Sequence, residues 1–597
     1  MCGILFVINE GSDLDPNIFN RSNIRRFLQR RGPDQHQSFD FIHDLFQFHL
    51  ESSVLHLRGQ SNSGRQPYCD DSNNNNENYN GNSSCLQWNG QIFRLIDDNN
   101  QFKTIDDSIS DTEVLFSMLT KFNKNVDNVV LETLSSIHGP WSMTFWNQTT
   151  EQLWVARDPV GRRSLCWNKN LRDKFLIITS IAQLFNNDND LNANHSIWNT
   201  LNFEEIPSDR IFCFKISKNK SLEQIWQDVR QFYWPKTLAG FDVNIDGHHH
   251  YIHRMPIISM LNTEIPSESI DQLLKSSNLF IDEGFVIDMK ICDEFHRVLS
   301  ESIKTRCRNH QNRCKECMLH SNENTDCTHS TLAILFSGGL DSTVLARIAD
   351  QFVEPEIRPI DLLNVAFDPK ASDRKTGIDA WNELCQLCPK RQWNFVQIDI
   401  DHHELELYRK EHIHHLIDPN WTVLDESIGS AIWFATRGQG ILLSNPNEKK
   451  HVEYKSPARV VLLGMGSDEQ LGGYSRHRQA FQKGNWTSLL HEIRVDIERI
   501  SGRNLGRDDR ITADHSIEAR FPYLDELVMN FLNPLPIWQK CNLYLERGHG
   551  EKWLLRKVAQ NLGLQKSCQN LKRAIQFGSK ITSHQNAGLK GHNSYQK

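Results

Sequence analysis

No stretch of this 597-residue sequence is apolar for long enough to cross a membrane. The apolar run nearest the start, Ile4 to Ile8, spans five residues, and no basic segment precedes it, so no secretory leader is expected. Basic charge is not in excess: 66 Lys and Arg against 74 Asp and Glu leave a net charge of −8, which gives no reason to expect nucleic acid or a membrane as partner. Cysteine is too dilute for a disulfide scaffold. The 14 cysteines are scattered along the chain, and without a leader they are expected to be reduced thiols in the cytoplasm. The length exceeds what one core supports, so two or more domains are expected.

What is present divides into two patterns. Up to about Ser217 short strands recur ("GILFVI", "SMTFW", "QLWVA", "FLIITS"), interrupted at residues 70–84 by an asparagine-rich segment that reads as a disordered surface loop. From Asp288 onward, helical spacing alternates with "LAILF", "DLLNVAF", "NFVQIDI" and "VVLLGMG", the pattern of a doubly wound parallel sheet. The expected division is 1–227, an irregular connector over 228–284, and 285–597.

Cys2 follows only an initiator methionine. It can be a small hydrophobe opening a buried strand. Alternatively, loss of Met1 would place a thiol and a free α-amine, of roughly pKa 7.7–8.0, on one residue, and that amine can take the thiol proton.

In "LAILFSGGLDSTVLARIADQF" a strand runs into Ser337-Gly338-Gly339-Leu340-Asp341-Ser342-Thr343, and a helix with Val344, Leu345, Ile348 and Phe352 on one face follows. Paired glycines let backbone N–H groups converge on an anion, and the Ser337, Ser342 and Thr343 hydroxyls can donate to phosphate oxygens. Asp341 suits such a site if Mg²⁺ bridges it to phosphate. "VVLLGMGSDEQLGGYSRHR" repeats the arrangement, placing Asp468 after Gly464-Met465-Gly466. Ligands of open α/β sheets bind outside the carboxyl ends of the strands, so Asp341 and Asp468 are expected to face one crevice as Mg²⁺ ligands, although Asp468 can also simply cap its helix.

"SGGLDS" resembles the pyrophosphate loop of ATP pyrophosphatases, and nearly the whole chain resembles the asparagine synthetase family. The likeness is carried by "MCGI", "RRGPDQ", "HLRG", "GRQP", "WNGQIF", "SDTEVL", "HGPWSMTFW" and "ARDPVGRRSL" in the first half, and by "SGGLDST", "GSDEQLGGY", "RITADHSIEARFPYLD", "EKWLLRKVA" and "KRAIQFGSKI" in the second. It implies an N-terminal class II glutamine amidotransferase domain, an Ntn-type layered α/β sandwich, and a C-terminal doubly wound α/β ATP-pyrophosphatase (adenine nucleotide α-hydrolase-like) domain. It further implies that Cys2 is the nucleophile on the glutamine amide. Asn89 and the Gly90 N–H would form the oxyanion hole, Arg58 would pair with the substrate α-carboxylate, and Asp111 would hold its α-ammonium. Gln91, where the family usually has glutamate, adjoins them. The implied nucleotide set is Leu335, Ser337, Gly338, Gly339, Asp341, Ser342, Val365, Gly464 and Lys572, with Asp341 and Asp468 on Mg²⁺. ATP and Mg²⁺ are the expected cofactors, and glutamine and aspartate the small-molecule substrates, for a reaction that yields asparagine, glutamate, AMP and pyrophosphate.

Two further positions depart from the family. Met465 replaces a glutamate tied to the adenylate and ammonia step, and Ala574 stands where a lysine neutralises pyrophosphate, with Lys572 and Arg573 adjacent. These departures keep two alternatives open: a protein that binds glutamine and ATP without synthesis, in a regulatory or binding role, and a ligase for another carboxylate.

"CRNHQNRCKECMLHSNENTDCTHS" (307–330) contains Cys314-x-x-Cys317 with Cys307, Cys327, His320 and His329 nearby. These are zinc-capable ligand types, but the second pair lacks the usual spacing, and a solvated loop is the first expectation. Cys385-x-x-Cys388 reads as ordinary buried thiols, and the histidines of "DGHHHYIHR" and "EHIHHL" as surface or core-edge residues.

Overall fold

Ile4–Ile8 lies in an interior strand, Gly3–Glu10, of a six-stranded antiparallel sheet in the computed structural model of the protein. Side chains alternate along a strand. Ile4, Phe6 and Ile8 therefore enter one core, while a Cβ on Gly3 would press against Leu28 of helix Asn23–Arg31, so Leu5 and Val7 face that helix. A strand covered on both faces has no polar side to show, which is why it reads as an unbroken apolar run.

The structure describes residues 2–11, 23–59, 64–69, 83–97, 101–103, 105–106, 108–121, 125–170, 174–182, 202–234, 249–251, 258–276, 289–320, 327–354, 356–445 and 451–584, excepting the side chains of 23, 249–251, 319–320 and 584. It forms two compact units. One comprises Met1–Ile257, Lys410–Trp421 and Ser501–Ile517; the other comprises Ile258–Arg409, Thr422–Ile500 and Glu518–Lys597.

In the first unit the six-stranded sheet runs, in spatial order, Glu204–Glu205, Cys166–Asn170, Phe175–Thr179, Gly3–Glu10, Phe46–Val54, Gln35–His43. A second sheet runs His249–Tyr251, Arg230–Tyr233, Arg210–Lys215, Gln152–Arg157, Trp141–Asn147, Cys85–Gly90, Tyr68–Cys69. Phe6, Phe48 and Ile178 of one sheet share a core with Trp146, Val155 and Phe212 of the other, so the two sheets pack face to face. Helix Asn23–Arg31 packs on the first sheet and Asp111–Leu119 on the second, which makes the layered α/β sandwich.

Cys69 and Cys85 stand opposite each other in the register of their strands and are joined by a disulfide. This corrects the expectation of reduced thiols throughout; the cross-strand pairing that joins them is invisible in a sequence that separates them by 16 positions. The other cysteines are free. Most of the asparagine-rich segment (70–82) lies outside the described residues, as does most of "DGHHHYIHR". In "EHIHHL", His412 and His415 are buried, and Phe27 packs against both rings.

The second unit is built on Val452–Lys455, Gln439–Leu443, Trp393–Asp399, Ile360–Ala366, Leu332–Leu335, Val460–Leu462, Glu518–Arg520, in that spatial order. The last five are parallel and the first two form an antiparallel edge. Chain order runs outward from Leu332–Leu335 in one direction and later resumes beside it at Val460–Leu462. That reversal is the switch point where doubly wound sheets open a crevice. Within 228–284 the described chain is not wholly irregular. It supplies strand Arg230–Tyr233 to the first unit and helix Glu268–Ser276 to the second, where Leu274 joins a core with Trp486 and Leu489. Among the described residues no helix is long and apolar enough to cross a membrane.

Candidate active sites

Strand Cys85–Gly90 pairs with Trp141–Asn147 and ends at Asn89 and Gly90, beside the start of Gly3–Glu10. The backbone nitrogen of Cys2 donates to Asn89 Oδ1 at 3.0 Å. Asn89 is fully buried, and its Nδ2 has no hydrogen-bond partner among the described residues. An amide anchored by its oxygen, with its N–H₂ unspent in a buried place, is an arrangement that stability alone does not favour. Gln66 Nε2 reaches Cys2 Sγ at 3.7 Å and Thr112 Oγ1 at 3.2 Å, while Gln66 Oε1 accepts from Trp88 N at 2.6 Å. Arg31 Nε donates to the Cys2 carbonyl at 3.2 Å and Arg31 Nη2 to Asp509 Oδ2 at 2.8 Å. Met1 lies outside the described residues.

Arg58 and Asp111 come together, with Nη1 3.1 Å from Oδ1. Arg58 is oriented by the carbonyls of Ile92 (3.0 Å) and Ile105 (2.8 Å), and Asp111, at the head of helix Asp111–Leu119 behind the Ser110 cap, takes the Ile92 N–H on its other oxygen at 2.9 Å. Gln91 is buried with Oε1 unpartnered among the described residues, and its N–H is spent on Pro140 O at 2.9 Å.

In the second unit Ser337 to Gly339 make the turn between Leu332–Leu335 and helix Leu340–Ala349. Gly338 has φ +73°, and a Cβ there would meet Thr376 O at 2.3 Å, so only glycine fits. Ser337 Oγ accepts from Gly339 N at 3.2 Å and keeps its proton for another acceptor. The Ser342 and Thr343 hydroxyls are instead turned onto Gly339 O, at 3.2 and 2.9 Å. Leu335 and Val365 lie at the carboxyl ends of the neighbouring parallel strands Leu332–Leu335 and Ile360–Ala366, and a Cβ on Gly464 would come within 3.1 Å of Asp341 Cβ.

The two aspartates converge on one ammonium. Lys552 Nζ lies 2.7 and 2.6 Å from the oxygens of Asp341, 2.6 Å from Asp468 Oδ1 and 3.2 Å from Ser467 Oγ. Lys572 donates to the other Asp468 oxygen. Burial alone would raise the Asp468 carboxyl, but the Lys552 and Lys572 charges outweigh it and hold the group well below the usual carboxylate range. Burial also opposes the charge of Lys572, yet Asp468 and Asp341 raise its ammonium above the ordinary lysine value. Gly473 allows this closeness: a Cβ there would sit 2.1 Å from Asp468 Oδ1 and 2.3 Å from Lys552 Cε. The point on which the two carboxylates converge is taken by the Lys552 ammonium, and their oxygens are the hard donors a magnesium ion would meet there. Met465 is half-buried at the end of Val460–Leu462, and Arg573 turns to Thr376 Oγ1 at 3.4 Å.

Sequence reasoning assigned no role to Lys552, Gln66 or Arg31, although "EKWLLRKVA", "GRQP" and "RRGPDQ" contain them. Lys552 carries a φ of +53°, a left-handed conformation uncommon outside glycine, immediately before helix Trp553–Asn561. No local pattern announces it.

The glutamine amidotransferase domain family matches residues 1–232 and the asparagine synthase family residues 328–492 and 480–593. Asparagine synthetase domain-containing protein 1 of Mus musculus is 35% identical to this chain, covering 93% of it and 92% of the mouse protein. The Homo sapiens protein of that name is 35% identical, covering 97% and 95%. An asparagine synthetase domain-containing protein of Saccharomyces cerevisiae is 28% identical, covering 95% and 89%.

Proposed function

The chain belongs to the family that joins a glutamine amidotransferase domain to an asparagine synthase domain, and on that premise we propose that it is an ATP-dependent, glutamine-hydrolysing amide ligase. The observation that carries the reading is the Asn89 amide, with Oδ1 holding the Cys2 nitrogen and Nδ2 unspent.

Removal of Met1 makes that nitrogen an α-amine, which takes the Cys2 thiol proton. The thiolate attacks the side-chain amide carbon of glutamine. Asn89 Nδ2 and the Gly90 N–H meet the developing oxyanion, a term of about 2.7–4 kcal/mol per donor in a comparable hydrolase. Arg58 and Asp111, now paired with each other, exchange that contact for the α-carboxylate and α-ammonium of the substrate. Ammonia leaves, and water releases glutamate from the thioester.

In the second unit the Ser337–Gly339 turn holds the pyrophosphate of ATP, Leu335 and Val365 border the nucleoside, and Lys572 offers charge to the phosphates. Magnesium would be held by Asp341 and Asp468, where it would neutralise phosphate charge. The β-carboxylate of aspartate displaces pyrophosphate from the α-phosphorus, and ammonia then displaces AMP from the acyl-adenylate.

Met465 favours a second reading. A thioether accepts no proton and orients no ammonia, so its position three residues before Asp468 supports a protein that hydrolyses glutamine and binds ATP while synthesis is lost or directed to another carboxylate. Glutamate release and labelling by a glutamine-analogue electrophile test the shared first half: both are expected in the wild type and absent in Cys2→Ala. Equal labelling of the two proteins overturns it.

A further inference from the structure

Residues 233–327 fall between the stretches that the two families match, and Cys314, Cys317 and Cys327 lie in that gap. Cys314, Cys317, Cys327 and His329 bring three Sγ atoms and one imidazole nitrogen within 4.8 Å of one another. His329 Nδ1 lies 3.6 Å from Cys314 Sγ and 3.4 Å from Cys317 Sγ. Around a tetrahedral zinc ion, with bonds of about 2.3 Å to sulfur and about 2.0–2.1 Å to nitrogen, neighbouring ligand atoms stand roughly 3.5–3.8 Å apart. All three thiols are free, although they are close together.

Backbone groups and burial enclose the cluster. Cys314 Sγ accepts the Cys317 N–H at 3.5 Å, and Cys327 Sγ accepts the Cys314 N–H at 3.3 Å, so backbone donors already point at two of the three sulfurs. Cys314 is wholly buried and Cys317 and Cys327 are half-buried, which limits competition from water while leaving His329 at the surface as the outer ligand. Both arms are fixed from outside, by Arg358 donating to Cys327 O at 3.1 Å and by Lys315 N donating to Pro457 O at 2.9 Å, and Arg313 braces its own arm through Cys317 O at 2.7 Å. The spacing that argued against zinc is not an obstacle: the chain bends at Cys327 to His329 and turns residues two apart toward one point. Cys307, in helix Met289–Arg308, is not part of the cluster.

We propose that Cys314, Cys317, Cys327 and His329 form a structural zinc site. Zinc displaces one proton from each of the three thiols to solvent, and neutral His329 completes a closed shell that leaves no position for catalysis. The site ties the segment to the chain entering Leu332–Leu335, the strand that ends at the Ser337 turn. It does not depend on the proposed ligase activity.

The test uses the full-length protein, desalted and analysed for metals by mass spectrometry. About one zinc per chain is expected in the wild type and in Cys388→Ser, and a loss of more than about tenfold in zinc affinity in Cys317→Ser/His329→Ala. Should the double variant fail to fold, the wild type decides. Stripped with a chelator and titrated with cobalt(II), it should show thiolate-to-cobalt charge transfer and the intense visible bands of a tetrahedral site. Wild-type protein that holds no zinc and gives no such bands, zinc retained by a folded double variant, or a disulfide among Cys314, Cys317 and Cys327 in the freshly purified protein overturns the proposal.

Discussion

Lys552 places its ammonium 2.7 and 2.6 Å from the two carboxylate oxygens of Asp341, residues that stand 211 positions apart in the chain. The same ammonium meets Asp468, so two carboxylates and two lysines neutralise one another at the carboxyl end of the parallel sheet. Lys552→Ala leaves Asp341 without that contact and Asp468 with Lys572 alone. Its expected effect is a loss of ATP–pyrophosphate exchange of about 10²–10³-fold with glutamine hydrolysis unchanged. Exchange at the wild-type rate would remove Lys552 from the account.

Asn89→Ala is expected to lower the turnover of glutamine by about 10²–10³-fold while the Cys2 thiol still reacts with a small alkylating agent. If Asn89 serves only the fold, reactivity of Cys2 and protein stability fall together instead. Steady-state glutaminase kinetics beside the alkylation rate separate the two.

Much of this was legible in the sequence because it is local. The strand-turn-helix at Ser337, the glycine pair, the apolar run at Ile4 and the motif carrying Asn89 are each set by neighbours a few positions away. What escaped is long-range. Lys552 has no signature until the chain folds back on Asp341. The Cys69–Cys85 bond follows from strand register. The Cys-x-His spacing at 327–329 looked wrong for a metal only because spacing does not report where a bend aims side chains. Residues 410–421 and 501–517, which the asparagine synthase match spans, fold with the first unit, and nothing in their periodicity says so.

Asp509 shows the consequence within that unit. It takes Arg31 at 2.8 Å, Arg163 at 3.3 Å and the Ser164 N–H at 3.1 Å, all buried. Asp509→Ala removes the carboxylate that two buried guanidinium groups share, and a destabilisation of about 3–5 kcal/mol is expected. Because Arg31 also holds the Cys2 carbonyl, electrophile labelling should fall in protein that remains folded. Thermal unfolding and labelling of the same samples check both.

His49 gives a pH dependence. Burial opposes its charge, but Asp40 and Glu51 overcome that and raise the imidazolium to about 9. A folded value above the unfolded value of about 6.5 means the charged form contributes its full stability below that pH and loses it as pH rises through about 9. The wild-type melting temperature should therefore fall between pH 6.5 and 9 by more than that of His49→Gln. Parallel curves for the two proteins contradict this.

The central claim is transfer of an amide nitrogen to an ATP-activated carboxylate, and nitrogen-15 reads it directly. Wild-type protein given amide-labelled glutamine, ATP, magnesium and aspartate is expected to form labelled asparagine with matching AMP and pyrophosphate, and Cys2→Ala to form asparagine only from added ammonium. Label recovered solely as free ammonia, with ATP intact, contradicts the claim.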